Sequence, residues 1–433
     1  MVQSSPSGPG LGEDDVAERL ARRLGTTDAV VVGLSAMIGA GVFAAFAPAV
    51  RAAGPWLLAS LALAAVVAYC NAASSARLAA LYPESGGTYV YGRQRLGPFW
   101  GYLAGWGFTV GKTASCAAMA LTFGAYVAPA LAQPLAIGAV AGVTGLNLLG
   151  VQRSAGAARI MIAFVLAVLG TVIAAGLSSA PLSWAQFLPV TASPGGGWEV
   201  PGVLQGAGLL FFAFAGYARI ATLGEEVRDP ARTIPRAVGI ALAITLAVYT
   251  LVALSALHAL GPERLGLSPA PLADVARAAQ APWLAPVVTA GAAVAALGAL
   301  LALVLGVSRT VLAMARNRDL PGFLSAVHPA RQVPHRAELA VGLTVIVLLM
   351  LADLRGAIAF SSFGVLVYYA IANACALTLR ADEGAPRRAV PVVGLALCLV
   401  LAFTLPWQAV VAGLGVFAVG VLLWFLRHRP ARR

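Results

Sequence analysis

Residues 33–43 read GLSAMIGAGVF, and they lie inside an apolar segment, 29–50, that is long enough to cross a bilayer. The stretch contains Gly33, Gly39 and Gly41, and each glycine weakens a helix by roughly 1 kcal/mol relative to alanine. In hydrocarbon, a helix with broken backbone hydrogen bonds survives only where it is buried in protein or lines a cavity. The stretch therefore indicates either close helix packing or a helix that is interrupted at a binding site.

The composition of the chain is that of a membrane protein. Of its 433 residues, 60% are hydrophobic and 11% are charged, which lies outside the usual range of soluble domains. Apolar windows of about 20 residues predict an all-α, polytopic protein. They give about twelve membrane spans, numbered in chain order: 29–50, 55–76, 97–130, 134–151, 155–178, 203–224, 236–260, 283–312, 338–353, 356–379, 389–404 and 407–426.

The arginines predict the orientation of these spans. If alternate connections face opposite sides of the bilayer, one side holds 23 arginines and the other side holds four. Because Lys and Arg accumulate on the cytoplasmic side, the imbalance predicts an even number of spans in the cell membrane, with both termini in the cytoplasm. The net charge of +12 is then explained by orientation in the lipid bilayer, and no nucleic-acid partner is expected.

The segments before and after the spans are short and polar. Residues 1–28 are rich in Gly and Pro, which predicts a disordered cytoplasmic tail without the apolar core of a cleaved signal peptide. Residues 427–433 are predicted to form a basic cytoplasmic tail. All four cysteines fall within spans without metal-ligand spacing, so they are expected to pack, and neither a metal nor a cofactor is expected.

A second span carries an interruption like the first. In span 6 the chain reads FFAFAGYARIATLGEEVRDPARTIPRA, with Gly216 amid bulky residues near mid-span. Five spans precede span 6, so it must run in the direction opposite to span 1. Gly-interrupted spans at matching places in two antiparallel halves are typical of inverted-repeat secondary transporters. The sequence therefore favours a binding site between spans 1 and 6.

Four segments also carry a family resemblance: GLSAMIGAGVF, YPESGGTYVYGRQRLGPFWGYLAGW, FFAFAGYARIATLGEEVRDPARTIPRA and SRTVLAMARNRDLP. In this order they resemble the signatures of spans 1, 2–3, 6 and 8 of the amino acid–polyamine–organocation permeases. The resemblance extends over nearly the whole chain and implies the LeuT-like fold, in which two inverted five-helix repeats precede two further helices. In this chain the repeats would be residues 29–178 and 203–379, and the further helices would lie within 389–426.

The resemblance implies how an amino acid zwitterion is held. Broken helices expose main-chain groups that lack intrahelical partners, so that free N–H groups attract a carboxylate and free carbonyls accept from an ammonium group. The substrate-binding residues implied are Ile38, Gly39, Ala40, Gly41, Phe212, Ala213, Phe214, Ala215, Gly216 and Ala218. Amides around 39–41 would hold the carboxylate, and carbonyls of Ile38 and 212–215 would hold the amino group. Phe212 aligns with the aromatic residue that closes over the substrate in the family, with simple packing as its alternative role.

The distribution of acids predicts the substrate class. None of the 17 Asp and Glu residues lies in the core of a predicted span, and relatives that take cationic substrates often have an acid where this chain has Ala218. A cationic side chain would find no partner charge, so small or apolar neutral amino acids are the expected substrates. A cationic amino acid or polyamine permease, and an amino acid exchanger, are the alternatives.

Lys112 is the only lysine in the chain, and it lies at the midpoint of span 3. An ionisable group at that depth is a functional hypothesis by default. Some proton-coupled relatives hold a lysine on span 5, where this chain has none, so that role does not transfer. Lys112 is expected either to couple transport to protons or to line the substrate cavity. The alternative is a structural hydrogen bond to broken-helix carbonyls.

Sodium is disfavoured as the coupling ion. Sodium-coupled relatives supply hydroxyls from span 8, whereas residues 290–307 of this chain offer no polar side chain. Sodium binding by backbone carbonyls alone stays open, as do uniport and exchange without an ion.

Two further polar features have more than one interpretation. Arg219 follows the interruption of span 6 and is expected to snorkel to the interface, to pair with Glu225 or Glu226, or to face an anionic substrate. In span 10, Tyr368 is a possible gate residue, although interhelical hydrogen bonding explains it equally well. It belongs to a polar patch formed by Ser361, Ser362, Tyr368, Tyr369 and Asn373.

The sequence disfavours an enzyme. An enzyme within the membrane would need clustered acids, or Ser/His or Cys/His groups, at span depth, and the spans hold no such cluster; no catalytic residue is therefore expected. The prediction is a secondary transporter that moves amino acids by alternating access. A channel or a transport-dead nutrient sensor with the same fold is the alternative.

Overall fold

The computed structural model describes residues 24–83, 86–150, 155–181, 200–221 and 227–428. Within these ranges the chain is almost entirely helical, and the one β-bridge joins Leu24 to Val227. The helices are α1 (Thr26–Met37), α2 (Ala40–Ala44), α3 (Phe46–Ala53), α4 (Leu57–Leu81), α5 (Thr88–Arg95), α6 (Pro98–Val127), α7 (Ala132–Leu148), α8 (Ala155–Leu177), α9 (Val200–Phe214), α10 (Ala218–Ala221), α11 (Pro230–Leu267), α12 (Pro271–Ala278), α13 (Leu284–Arg316), α14 (His335–Leu351), α15 (Leu354–Leu377), α16 (Ala389–Thr404) and α17 (Trp407–Arg427). Within the described residues, each predicted span coincides with one of these helices or with consecutive helices, so the all-α prediction is confirmed.

The outer helices present apolar side chains to the surroundings. Among the described residues, nine helical segments are long and apolar enough to cross a membrane, and α16 is a shorter apolar helix. Leu343, Phe403 and Leu422 are each more than half exposed on α14, α16 and α17. Exposed apolar surface of this extent is stable only in contact with lipid or another protein. The protein is therefore a multi-pass membrane protein. The grouping of its helices into two repeats, 29–178 and 203–379, stays a prediction.

Helix α6 lies at the centre of the bundle. Every residue from Gly111 to Thr122 is buried, and α6 packs against both α13 and α15. A helix that is buried all round belongs to the interior of a bundle. This position places Lys112 deep inside the protein, where it is 7% exposed.

Small residues allow the central helices to approach closely. A methyl group at Gly364 of α15 would lie 2.9 Å from Cα of Gly111 and 3.0 Å from the carbonyl oxygen of Gly107, both on α6. These are backbone atoms, so a side chain at this position requires the two helices to separate. Glycine contacts of this kind are a common means of helix association in membranes.

Spans 1 and 6 are interrupted in different ways. In span 1, α1 ends at Met37 and α2 begins at Ala40, so that Ile38 and Gly39 lie outside both helices. In span 6, a 3₁₀ turn over Ala215–Tyr217 joins α9 to α10, which tightens the helix rather than opening it. Residues 222–226, which follow α10 and include Glu225 and Glu226, lie outside the described residues.

A buried carboxylate closes one end of the bundle. Asp319, which follows α13 and is 2% exposed, accepts hydrogen bonds from Tyr89 (2.7 Å) and Arg93 (2.9 Å), both on α5. The imidazole of His428, just after α17, lies 3.8 Å from the same carboxylate. The cluster therefore ties α5, the segment after α13 and the end of α17 together.

We predict that Gly364→Ala destabilises the bundle. The added methyl group meets backbone atoms of α6, and overpacking of this kind costs about 1–3 kcal/mol. The matched control is Gly138→Ala on α7, where a methyl group meets nothing within 4 Å and alanine favours the helix. Thermal unfolding of the purified proteins checks this. Equal apparent melting temperatures of Gly364→Ala and wild-type protein would contradict the close approach of α6 and α15.

Candidate substrate-binding site

The residues predicted to bind substrate gather at the junctions of α1 with α2 and of α9 with α10. All ten are buried except Gly216, which is half-buried. They include Ile38 and Ala40 at 1% and 0% exposure, and Ala215 and Ala218 at 2% and 8%. The site is therefore lined by main-chain groups and small side chains, since bulky residues lie only at Ile38, Phe212 and Phe214.

The two interruptions pack directly against each other. A methyl group at Gly216 would lie 2.3 Å from the carbonyl oxygen of Ala36 at the end of α1, and one at Gly41 would lie 2.9 Å from Cα of Ala213. Both contacts involve backbone atoms. The sequence left open whether Gly41 serves close packing or a binding site. These two roles are compatible, because the packing of Gly41 and Gly216 brings the main-chain groups of spans 1 and 6 together.

The first turn of α2 supplies main-chain donors beside the break. Ala45 N–H bonds to the carbonyl of Gly41 (2.9 Å), and Ala49 N–H bonds to the carbonyl of Ala45 (3.2 Å), so α2 and α3 form one nearly continuous helical stretch. The leading N–H groups of such a stretch have no intrahelical partner. They carry the positive end of the helix dipole, which favours a carboxylate.

Tyr249 of α11 bridges the two interruptions. Its hydroxyl lies 2.6 Å from the carbonyl oxygen of Met37 and 3.0 Å from that of Ala213, and the side chain is fully buried. A hydroxyl has one hydrogen to donate, so the two carbonyls share it. The carbonyl of Ala213 therefore already has a donor, whereas the resemblance implied that it is available to the amino group of the substrate. Sequence reasoning missed Tyr249, although a phenol within an apolar span signals a buried hydroxyl that needs a partner.

Lys112 reaches the interruption of span 6. Its ammonium Nζ donates to the carbonyl oxygen of Ala215 at 3.3 Å, and the hydroxyl of Tyr369 on α15 donates to the same oxygen at 3.5 Å. The hydrogen bond to a broken-helix carbonyl, one of the interpretations left open by the sequence, is thus present. Among the described residues, no carboxylate lies within ion-pair distance of Lys112. A buried charge without a countercharge is costly, so the hydrogen bond to the carbonyl of Ala215 is the contact that stabilises the ammonium group in the protein.

The polar patch of span 10 makes hydrogen bonds between helices. The hydroxyl of Tyr368 accepts from the backbone N–H of Thr88 at 3.1 Å, where α5 begins. Ser361 pairs with Ser115 of α6 at 2.6 Å, and Asn373 donates to Asn71 of α4 at 2.6 Å. Interhelical hydrogen bonding therefore explains these members of the patch. Gate roles for Tyr368 and for Phe212, which is 7% exposed, stay predictions.

Arg219 lies on α10 with an exposed side chain. This exposure agrees with snorkelling or pairing better than with contact to a substrate held among buried main-chain groups. Its predicted partners, Glu225 and Glu226, lie outside the described residues.

Comparison with known proteins places this site in context. A family model described as "Amino acid permease" matches residues 24–426. An uncharacterized transporter of Mycobacterium tuberculosis is 62% identical over 98% of this chain and 95% of the relative. A branched-chain amino acid permease of Bacillus subtilis is 28% identical over 95% of this chain and 94% of the relative. A chloroplastic cationic amino acid transporter of Arabidopsis thaliana is 28% identical over 92% of this chain and 72% of the relative.

We predict that Tyr249→Phe lowers stability and impairs transport. The variant leaves two buried carbonyls without their donor, which costs about 1–3 kcal/mol, and it frees spans 1 and 6 to move apart. Tyr102→Phe is the matched control, because it removes one buried hydroxyl that bonds to Gly420 on α17 at 2.8 Å, away from the site. Thermal unfolding and amino acid uptake by proteoliposomes check both variants. If uptake falls equally in the two, the special role of Tyr249 is refuted.

Proposed function

This chain belongs to the amino acid permease family, and on that premise we propose that it carries neutral amino acids by alternating access and couples their transport to protons through Lys112. It is an amino acid transporter rather than an enzyme. The observation that supports the finer proposal is the contact of two interrupted spans whose main-chain groups face each other, with one ammonium group on the carbonyl of Ala215.

The charges around the site favour a neutral substrate. Among the described residues, the buried acids are Asp319 and Glu338, and neither belongs to a helix that forms the site. Asp319 is already held by Tyr89 and Arg93. A cationic substrate side chain would meet no carboxylate and would be repelled by the ammonium of Lys112.

The relatives differ in the substrates that their names state. One takes branched-chain amino acids and another takes cationic amino acids, and each is 28% identical to this chain. Sequence identity therefore does not decide between neutral and cationic amino acids as substrates. The absence of a buried acid from α1, α2, α9 and α10 among the described residues supports the neutral class.

The zwitterion would bind between the two interruptions. Its carboxylate would accept from the leading N–H groups of α2, around Gly39, Ala40 and Gly41, and its ammonium group would donate to main-chain carbonyls of the α9–α10 junction. Both sets of groups are buried, so water competes weakly with the substrate for them. Alternation between the two sides would require spans 1 and 6 to move relative to the central helices.

The polar groups near the proposed site favour the proton over sodium as the coupling ion. Lys112 is buried and ionisable, and it contacts the proposed site directly. Sodium would need several oxygen ligands, and the hydroxyl of Ser308, the first polar side chain after residue 289 on α13, already bonds to the carbonyl of Val304 at 2.7 Å. Proton coupling through Lys112 therefore accounts for a buried cation that sodium coupling leaves unexplained.

We predict that proteoliposomes containing the protein exchange labelled L-leucine or L-alanine in counterflow, and that L-arginine and putrescine compete weakly. The reason is the missing countercharge for a cationic side chain. Empty liposomes are the control. A protein that binds an amino acid without counterflow is a sensor, fluxes that do not saturate belong to a channel, and dominant competition by arginine or putrescine would reverse the assigned substrate class.

We also predict that Lys112→Met, which keeps the length of an unbranched apolar chain, abolishes the effect of a pH gradient on transport while counterflow persists. For one proton per substrate, a gradient of one pH unit changes the accumulation ratio of the wild-type protein by about tenfold. Accumulation of labelled L-leucine at imposed pH gradients measures this. A pH-driven response that survives in Lys112→Met would exclude Lys112 as the coupling residue.

A further inference from the structure

The carbonyl of Ala215 already accepts from two donors of the protein. Lys112 and Tyr369 both donate to its oxygen, at 3.3 Å and 3.5 Å, and a carbonyl oxygen has two lone pairs. The neighbouring carbonyl of Ala213 accepts from Tyr249 at 3.0 Å. The proposed function assigns the four carbonyls of residues 212–215 to the amino group of the substrate. Two of these carbonyls therefore have protein donors before a substrate binds.

One of these partners has the same chemistry as the substrate's amino group. The ε-ammonium of Lys112 and the α-ammonium of an amino acid are both alkylammonium groups that donate three N–H bonds and need carbonyl or carboxylate oxygens. Tyrosine donors can rotate away from a carbonyl without changing the charge of the site. Lys112 differs, because two ammonium groups on one buried carbonyl repel each other.

From this geometry we infer that the ammonium group of the substrate and that of Lys112 compete for the carbonyl oxygen of Ala215, so that substrate binding releases the lysine's proton and the transporter exchanges one proton for one amino acid. The inference rests on the proposed function and adds the sign of the coupling. The substrate keeps its three ammonium hydrogens. The N–H bond of Lys112 breaks heterolytically, the electron pair stays on Nζ, and the proton passes to water.

In the part of the chain that the structure describes, the surroundings of Lys112 supply no countercharge to relieve the repulsion. On α6 itself, the ionisable side chain of Cys116 lies four residues after Lys112, on the same face of the helix. From α15 and the 3₁₀ turn, the ionisable neighbours are Tyr369 and Tyr217, whose rings lie 5.0 Å apart. Helices α2 and α13 also pack against α6, and among the described residues they place no charged side chain in ion-pair contact with Lys112. No carboxylate of the described residues is therefore close enough to Lys112 to hold two cations together.

This exchange sets the direction in which a proton gradient drives amino acids across the membrane. The carrier changes sides either with a protonated Lys112 and no substrate or with a zwitterion and a neutral Lys112. An inward proton gradient would then drive amino acids outward through this protein. A substrate whose carboxylate instead paired with the ammonium of Lys112 would bind together with the proton and would move in the same direction.

Isothermal titration calorimetry on the purified full-length protein tests the inference. L-leucine or L-alanine is titrated in phosphate and in Tris at the same pH, and the dependence of the heat on the ionisation enthalpy of the buffer counts the protons released. We expect close to one proton released per amino acid under conditions where Lys112 is protonated, and an affinity that rises up to about tenfold per pH unit. Zero release, or net proton uptake, overturns the inference while leaving the proposed function standing.

Three variants separate competition from other effects. Lys112→Met should bind with no proton release and an affinity independent of pH. Lys112→Arg, which stays charged, should bind at least tenfold more weakly at every pH. Tyr369→Phe removes the other donor on the carbonyl of Ala215 and should still release one proton. Proton release that persists in Lys112→Met would overturn the inference, and a wild-type protein that binds no neutral amino acid would overturn both it and the proposed function.

Discussion

A backbone that leaves its helix inside a lipid bilayer must find other hydrogen-bond partners, and the centre of this protein is organised around that requirement. Met37 ends α1, and its carbonyl accepts from Tyr249. The same hydroxyl also bonds to the carbonyl of Ala213 in span 6, while Lys112 and Tyr369 donate to the carbonyl of Ala215. Three helices that are far apart in sequence therefore supply the donors that the interrupted spans lack. The interruptions persist because α6, α11 and α15 surround them.

The positions that pack most closely are also those that expose main-chain groups. Gly41 and Gly216 bring backbone within contact distance of backbone, which a side chain would prevent. Glycine is thus used here for approach as well as for freedom from the helix. Both interpretations of GLSAMIGAGVF lead to the same arrangement, because a site built from main-chain groups of two spans forms only where those spans touch.

Lys112 adds a charged group to this arrangement of main-chain donors and acceptors. A site of carbonyl and N–H groups alone would bind a zwitterion and need no ion. In the proposed function, the addition of one buried ammonium group, on the carbonyl that a substrate would use, makes the occupancy of the site depend on protonation. The other buried charges among the described residues, Asp319 and Glu338, lie outside this region. Asp319 instead ties α5 to the end of α17.

The apolar helices, the interruption at Ile38–Gly39 and the depth of Lys112 were all readable from the sequence, because apolar length and the position of a glycine or a lysine are properties of contiguous residues measured against a bilayer of known thickness. The resemblance added further residues of span 6, and the structure places Ala213 and Gly216 of that span against span 1. The tertiary structure alone decided which donors meet the freed carbonyls. Tyr249, Tyr369 and Lys112 converge from spans 7, 10 and 3, and no local pattern encodes a distance between such helices. Hydropathy determines where each helix crosses the membrane, whereas hydrogen bonds depend on side-chain packing between helices that only the assembled bundle brings together.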